Sequence, residues 1–352
     1  MNPPHNIYIH VPFCVSKCNY CAFFSRACAS PDWDKYANDI IQEIQHFGQL
    51  LGHPCIPTVF FGGGTPSLMP TKTFASIMNA IRQNFNLVQD AEITIESNPK
   101  TIDRIKLDEF YGIGMNRLSI GVQSFDDEKL KFLGRIHNAQ DARNLITTAT
   151  EMGLRVSADF IYGLPNETVQ DVIKTCQEIN SIGLMHCSMY ELTIEPNTPF
   201  GKMNLDMPNN ETMAEMYMAI GKNLNIKRYE VSNYAAPGMG CRHNQNVWDG
   251  APYVGIGDGA AGRLLIDGTW FEELGGGKLC SPMSNDTRAI ERVMTGMRTI
   301  RGVQIDDTIK KIIDIEFAKS HTDMVTLTHD NRIIATDAGM LVLDNLITRL
   351  IK

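Results

Sequence analysis

Over the first two hundred positions, the apolar residues alternate between two rhythms. Short runs rich in β-branched and aromatic side chains recur at NIYIHV (6–11), PTVFFG (57–62), AEITIE (91–96), NRLSIGV (116–122), LRVSADFIYG (154–163) and MHCSMYEL (185–192), and each predicts a strand. Between these runs the spacing becomes helical. Over 32–51, apolar side chains stand at Ile40, Ile41, Ile44, Phe47 and Leu51, one face of a 3.6-residue repeat. Further helices are expected over 71–85, between the third and fourth strands, over 139–152 and over 168–182. Repeated strand–helix alternation predicts parallel strands joined by crossover helices. A closed eightfold barrel needs eight such units and about 250 residues. The expected fold class is therefore α/β, an open, partial (βα)6 barrel, with a doubly wound sheet as the alternative.

After residue 200 the rhythm changes. A helix near 210–226 precedes loops rich in Gly and Asn over 237–262, and RLLIDGTWFEEL then reads as a strand. Another helix is expected over 285–300. MVTLTHDNRIIATD reads as a hairpin turning at its Asp-Asn, and AGMLVLDNLITRLIK as an amphipathic helix. The division expected is a core over 1–236, a connecting segment over 237–299 and a small winged-helix-like unit over 300–352.

The unusual residues collect at the carboxyl ends of the predicted strands, the edge where parallel α/β folds bind ligands. Gly62, Gly63, Gly64, Thr65 and Pro66 follow the second strand, and Glu96, Ser97, Asn98 and Pro99 close the third. Gln123 and Ser124 follow the fourth. Asp159 lies late in the fifth, ahead of Tyr162, Gly163, Leu164 and Pro165. Consecutive glycines let backbone N–H groups approach a ligand with no Cβ in the way.

Three cysteines, Cys14, Cys18 and Cys21, follow the first strand and so reach the same edge. The other six, Cys28, Cys55, Cys176, Cys187, Cys241 and Cys280, are scattered, and the odd total of nine argues against a full disulfide framework. A zinc site would need a fourth ligand, which His10 or Cys28 could supply. An iron–sulfur cube held by three thiolates would instead keep one iron open, as a catalytic centre requires. Phe13, Tyr20, Phe23 and Phe24 are placed to shield such a cluster.

The formal net charge of −8 argues against binding to a nucleic-acid backbone. No apolar run reaches the ~18 residues of a membrane span. MNPPHN lacks the basic start and apolar run of a secretory signal. A reducing cytoplasm is the expected location.

Taken together, C-x3-C-x2-C after a strand and GGGTPS after the next resemble the radical S-adenosylmethionine (SAM) superfamily. YIHVPFC, FFGGGTPS, IESNP, RLSIGVQSF, DFIYGLP and YEVSNYA…HN, in that order, resemble the oxygen-independent coproporphyrinogen III oxidase family, and within it the heme-chaperone (HemW-type) branch. The shared motifs run from Tyr8 to about Gly262. The resemblance implies a [4Fe–4S] cluster on Cys14, Cys18 and Cys21, with SAM on the open iron. It places Tyr8, Tyr20, Gly63, Gly64, Thr65, Glu96, Gln123, Arg135 and Asp159 around SAM. In that setting the Gly-Gly-Thr backbone suits the methionine end, Glu96 can accept from ribose hydroxyls and Arg135 can pair a carboxylate. The family's chemistry passes an electron from the cluster into the sulfonium, which breaks a C–S bond and releases a deoxyadenosyl radical.

The oxidase branch carries a fourth cysteine, C-x3-C-x2-C-x-C, where this chain has Phe23, and a substantial segment ahead of its first strand, where this chain has seven residues before Tyr8. Both features point to the chaperone branch, whose members bind heme and pass it on. That branch's HNxxYW motif stands here as HNQNVW, with Val247 in place of Tyr, and Ala261 stands where a family His is expected. His243 is the candidate axial heme ligand, with Cys241 the next. GDGAAG (257–262) spells a dinucleotide-binding pattern, but a strand and not a helix is expected after it, so that reading is rejected. The expected function is a heme chaperone serving an unidentified acceptor protein. Homodimerisation and transient contact with membrane heme proteins are compatible with it. The alternatives are the oxidase itself and a radical enzyme that modifies tRNA or protein.

Overall fold

The computed structural model describes residues 3–276 and 278–352; the side chains of 278–280, and so the Cys280 thiol, lie outside the description. The six predicted strands form as β1 (Asn6–Val11), β2 (Cys55–Gly63), β3 (Asn86–Ser97), β4 (Arg117–Gln123), β5 (Arg155–Tyr162) and β6 (His186–Glu191). The helices after β1 to β5 include α1 (Trp33–Leu50), α2 (Thr71–Asn84), α3 (Arg104–Ile113), α4 (Asp127–Phe132), α5 (Ala139–Glu151) and α6 (Val169–Ile182). Asp32, Asp103, Asn138 and Thr168 cap α1, α3, α5 and α6 by accepting from the third helical N–H, and this sets where each helix begins.

Beyond α7 (Asn210–Asn223) come β7 (Lys227–Glu230), β8 (Asn233–Ala235), α8 (Arg242–Trp248), β9 (Tyr253–Ile256), β10 (Ala261–Ile266), β11 (Thr269–Leu274) and β12 (Lys278–Met283). All twelve strands share one sheet, ordered β12-β11-β10-β9-β1-β2-β3-β4-β5-β6-β8-β7. From β9 to β6 each neighbouring pair is parallel; the strands added at either end are antiparallel. The expected partial barrel is thus present and extended. Three local expectations are corrected. The 237–262 loops contain α8 and β9, and β9 pairs in parallel with β1 as a seventh barrel strand. The helix expected over 210–226 ends at Asn223, and the one over 285–300 is α9 (Asn285–Gly296).

Successive side chains of a strand point to opposite faces, and this alternation separates two environments. Ile7, Ile9, Val11, Val59, Phe61, Ile93, Ile95, Leu118 and Ile120 face the helices and form the main apolar core. Asn6, Tyr8, His10, Thr58, Phe60, Glu92, Glu96, Arg117, Ser119, Ser157 and Asp159 occupy the other parity and give the barrel interior a polar lining.

The last segment holds α10 (Asp307–Ile312), α11 (Ile315–Ser320), α12 (Asp337–Leu341), α13 (Leu343–Leu350) and a sheet of β13 (Val303–Gln304), β14 (Val325–Leu327) and β15 (Arg332–Ala335) in the order β13-β15-β14. The expected terminal hairpin is β14–β15, and the expected single terminal helix is divided at Val342. This segment shares an apolar core with Ala289, Val293 and Met297 of the α9 region, and Tyr217 and Val231 pack against it.

Candidate functional site

The cysteine loop leaves β1 and is tied down along its length. Gly64 and Thr65 donate backbone N–H to the carbonyls of Val11 and Phe13, both at 2.8 Å. A Cβ on Gly64 would sit 2.6 Å from the Phe13 carbonyl oxygen and 3.0 Å from Cys14 Sγ, so only glycine lets this turn lie against the loop. Cys28 N–H reaches the Cys14 carbonyl at 2.9 Å. Asn19 is held by the 132–133 turn, its N–H to the Leu133 carbonyl at 3.1 Å and its Nδ2 to the Phe132 carbonyl at 2.8 Å.

Cys14, Cys18 and Cys21 are free, partly exposed thiols. Burial raises the Cys21 pKa, and the neighbouring Cys18 and Cys14 raise it further, which marks the three as one electrostatic group. Among the described residues no three His, Cys, Asp or Glu side chains converge as a single ion would require. The donor set is all sulfur, set in a loop with Lys17 close by. It fits a multi-iron cluster, in which each thiolate takes its own iron. Of the four expected shielding aromatics, Phe13 is buried and Tyr20 half-buried. Phe23 and Phe24 are 67% and 54% exposed, so they do not shield from the inside.

Arg135 stands differently from the expectation. Its Nη1 donates to Cys18 Sγ at 3.2 Å, and its Nη2 to the Gly121 carbonyl at 2.7 Å and to Asn98 Oδ1. In this structure the guanidinium is engaged by the cysteine loop and by β4, rather than open for bidentate capture of a carboxylate. Burial raises the Tyr20 hydroxyl pKa, and Arg135 beside it opposes the rise. Gln123 follows a β-bulge at positive φ (66°), and its Nε2 lies over Gly121 with Arg135 and Asn98.

Glu96 accepts the Gly63 N–H through Oε2 at 3.0 Å. Burial, then the nearby Asp159 charge, pushes its pKa up to about 8, with the Gly63 hydrogen bond pulling the other way. Ser119 Oγ donates to Asp159 Oδ2 at 3.1 Å, yet burial still raises the Asp159 pKa. Tyr8 OH bonds His10 Nδ1 at 2.9 Å, while His10 Nε2 reaches the Phe24 carbonyl at 2.7 Å. A carbonyl only accepts, so Nε2 carries the proton and Tyr8 donates to Nδ1. His10 therefore links the first strand to the cysteine loop; it is not available as a zinc ligand in this arrangement.

A cavity of about 330 Å³ opens beside these groups, lined by Tyr8, Phe60, Glu96, His243, Asn244, Val247, Trp248, Tyr253 and Ala261. It joins the HNQNVW residues to two expected SAM residues. His243 lies on α8, 5% exposed, with its ring 5.1 Å from that of Phe60. Its backbone N–H donates to Glu92 Oε1 at 3.0 Å and its ring Nδ1 lies 2.8 Å from Thr58 Oγ1. Burial lowers its pKa to about 3, so the imidazole is neutral. Cys241, the second candidate, is buried with its thiol directed at Glu92, and burial pushes its pKa up to about 12. It is a protonated core thiol, not an available ligand. His137 and His186 are buried and bonded to the Val122 carbonyl and to Ser157 and Tyr229.

Thr58, Asn6, Phe60, Glu92, Ser119 and Ser188 escaped sequence reasoning. Their signal was the polar parity of each strand, residues i and i+2 facing the barrel interior. The dinucleotide pattern at 257–262 runs into strand β10, consistent with its rejection.

A family model described as the Radical SAM superfamily matches residues 8–179. The chain is 37% identical over 269 residues to a protein named heme chaperone HemW from Escherichia coli (strain K12), covering 75% of this chain and 71% of that one. It is 35% identical to a HemW from Synechocystis sp., covering 85% and 79%. It is 37% identical to a mitochondrial radical SAM domain-containing protein 1 of Mus musculus, covering 75% and 61%. Its fold superposes on that of E. coli coproporphyrinogen III oxidase (HemN) with a TM-score of 0.81 at 21% identity, covering 99% and 90%. The chain carries the Radical SAM superfamily domain over residues 8–179 and belongs to the HemW family.

Proposed function

We propose that this protein is a heme chaperone built on a radical SAM core, binding heme and passing it to an acceptor protein in the reducing cytoplasm. Cys14, Cys18 and Cys21 would hold a [4Fe–4S] cluster, and the Gly63-Gly64-Thr65 turn, Glu96, Asp159, Gln123, Tyr8 and Tyr20 would line SAM. When bound, such a cluster and SAM supply one-electron chemistry at a sulfonium carbon. The protein's own part is positional. Gly64 brings the second strand's turn against the loop. Arg135 donates to Cys18 Sγ and so holds a positive charge beside the cysteine loop. Its place against the loop makes the SAM carboxylate a partner only if the guanidinium turns away from Gly121.

The observation that carries the heme reading is the cavity in which His243, Asn244 and Trp248 face Tyr8, Phe60 and Glu96. Neutral imidazole is a common iron ligand, and His243 is neutral with one ring nitrogen already engaged. Phe60, Tyr8 and Trp248 supply apolar surface for a macrocycle. The acceptor, a homodimer and contact with membrane heme proteins belong to the same proposal. Among the described residues no helix is long and apolar enough to cross a membrane. Anaerobic titration with heme tests the reading. Saturation near one heme per chain with an imidazole-type spectrum is expected, and His243→Ala should lose that spectrum. Absence of saturable binding would refute it.

A further inference from the structure

The hydrogen bonds around His243 decide which of its nitrogens carries the proton. Asn6 Nδ2 donates to the Pro252 carbonyl at 3.0 Å, and a carbonyl can only accept, so this end of the amide is its NH2. Asn6 Oδ1 then accepts from Thr58 Oγ1 at 2.8 Å and from Asn246 Nδ2 at 2.9 Å. Thr58 has one hydroxyl proton, and Asn6 receives it. The 2.8 Å contact between Thr58 Oγ1 and His243 Nδ1 must therefore draw its proton from the imidazole. Nδ1 is the N–H and Nε2 carries the lone pair. Nε2 has no hydrogen-bond partner among the described residues, and the ring borders the cavity. Glu92, itself 1% exposed and paired with Arg155 at 3.3 Å, fixes the backbone of the same residue.

We propose that Thr58, oriented by Asn6, is the positioning residue that fixes the Nδ1–H tautomer of His243 and so presents Nε2 to the cavity as a ready ligand for the iron of a porphyrin. This rests on the reading of His243 as the heme ligand. Histidines that bind metal commonly donate their other N–H to a fixed acceptor, and loss of such a partner costs about 10–100-fold in affinity. The acceptor here is a strand hydroxyl in the barrel interior, two residues before Phe60, so barrel and ligand are set by one element.

Two measurements test the proposal. In heme-free protein labelled with 15N-histidine, long-range proton–nitrogen NMR correlations report the tautomer, with the His243 signals assigned by their loss in His243→Gln. The Nδ1–H form is expected in the wild type and in Thr58→Ser, and not as a fixed form in Thr58→Val. In heme titrations Thr58→Val should bind about 10–100-fold more weakly, with an altered EPR signature, and Thr58→Ser should restore both. An Nε2–H tautomer in the wild type would overturn the proposal, as would a folded Thr58→Val that binds heme with unchanged affinity and signature. If His243→Gln retains the wild-type heme spectrum, the ligand reading fails instead, whatever the tautomer.

Discussion

Glu96 concentrates the residue-scale tension of the site. Its carboxyl borders a ligand cavity, yet burial and the Asp159 charge hold its pKa near 8. Hydrogen bonds from ribose hydroxyls favour the ionised form. SAM affinity should therefore rise as pH increases from 6 towards 8 and level off above, because ligand-free protein must first lose the Glu96 proton. Isothermal titration across that range checks this, and Glu96→Gln should bind more weakly with a flat profile. The same shift affects stability. Between the unfolded carboxyl value of 4.5 and about 8, unfolded chains have lost a proton that folded ones keep, so folded wild type loses stability as pH rises through that window. Melting of Glu96→Gln should gain on the wild type over the same interval and show a constant difference below it. Glu96 and Asp159 were legible in the sequence because each stands at a strand end among turn residues. Thr58 and Glu92 were not, because an isolated Thr or Glu inside a strand shows its partner only once register is known.

At the scale of elements, the turn after β2 is the joint of the site. Gly63 adopts φ 111°, and a Cβ there would meet the His10 ring at 2.5 Å; one on Gly64 would meet two carbonyl oxygens within 2.9 Å. Gly64→Ala should displace the cysteine loop, lowering reconstituted iron content and costing about 1–3 kcal/mol in chemical denaturation. Wild-type iron content in that variant would separate the turn from the cluster. The six barrel strands and their helices followed from periodicity, since each buries an apolar face against the next layer. Helix α8 and strand β9 did not. RHNQNVW has poor helix propensity and forms a short helix because Arg242 pairs with Asp90, His243 N–H binds Glu92 and Asn246 reaches Asn6. YVGI becomes a strand through parallel pairing with β1, more than two hundred residues away in sequence. Neither cause is local.

For the whole molecule, the cluster loop, the cavity and the small terminal unit are held by one continuous sheet. The terminal unit docks on β7, where Val231 N–H reaches the Arg298 carbonyl at 2.9 Å and Arg298 Nε pairs with Glu230 at 3.0 Å. Combined replacement of Cys14, Cys18 and Cys21 by Ala should abolish reconstituted iron, while Cys28→Ala and Cys55→Ala keep it; iron uptake by the triple variant would move the cluster elsewhere. The heme-carrier function proposed for this radical SAM core differs from an oxidase activity in its product. It is tested most directly by anaerobic incubation of the reconstituted protein with coproporphyrinogen III, SAM and a reductant, with product analysis over many equivalents of substrate and a parallel heme titration. Saturable heme binding near one per chain is expected, with no accumulation of a porphyrinogen lacking two carboxylates. Multiple-turnover formation of that product would contradict it.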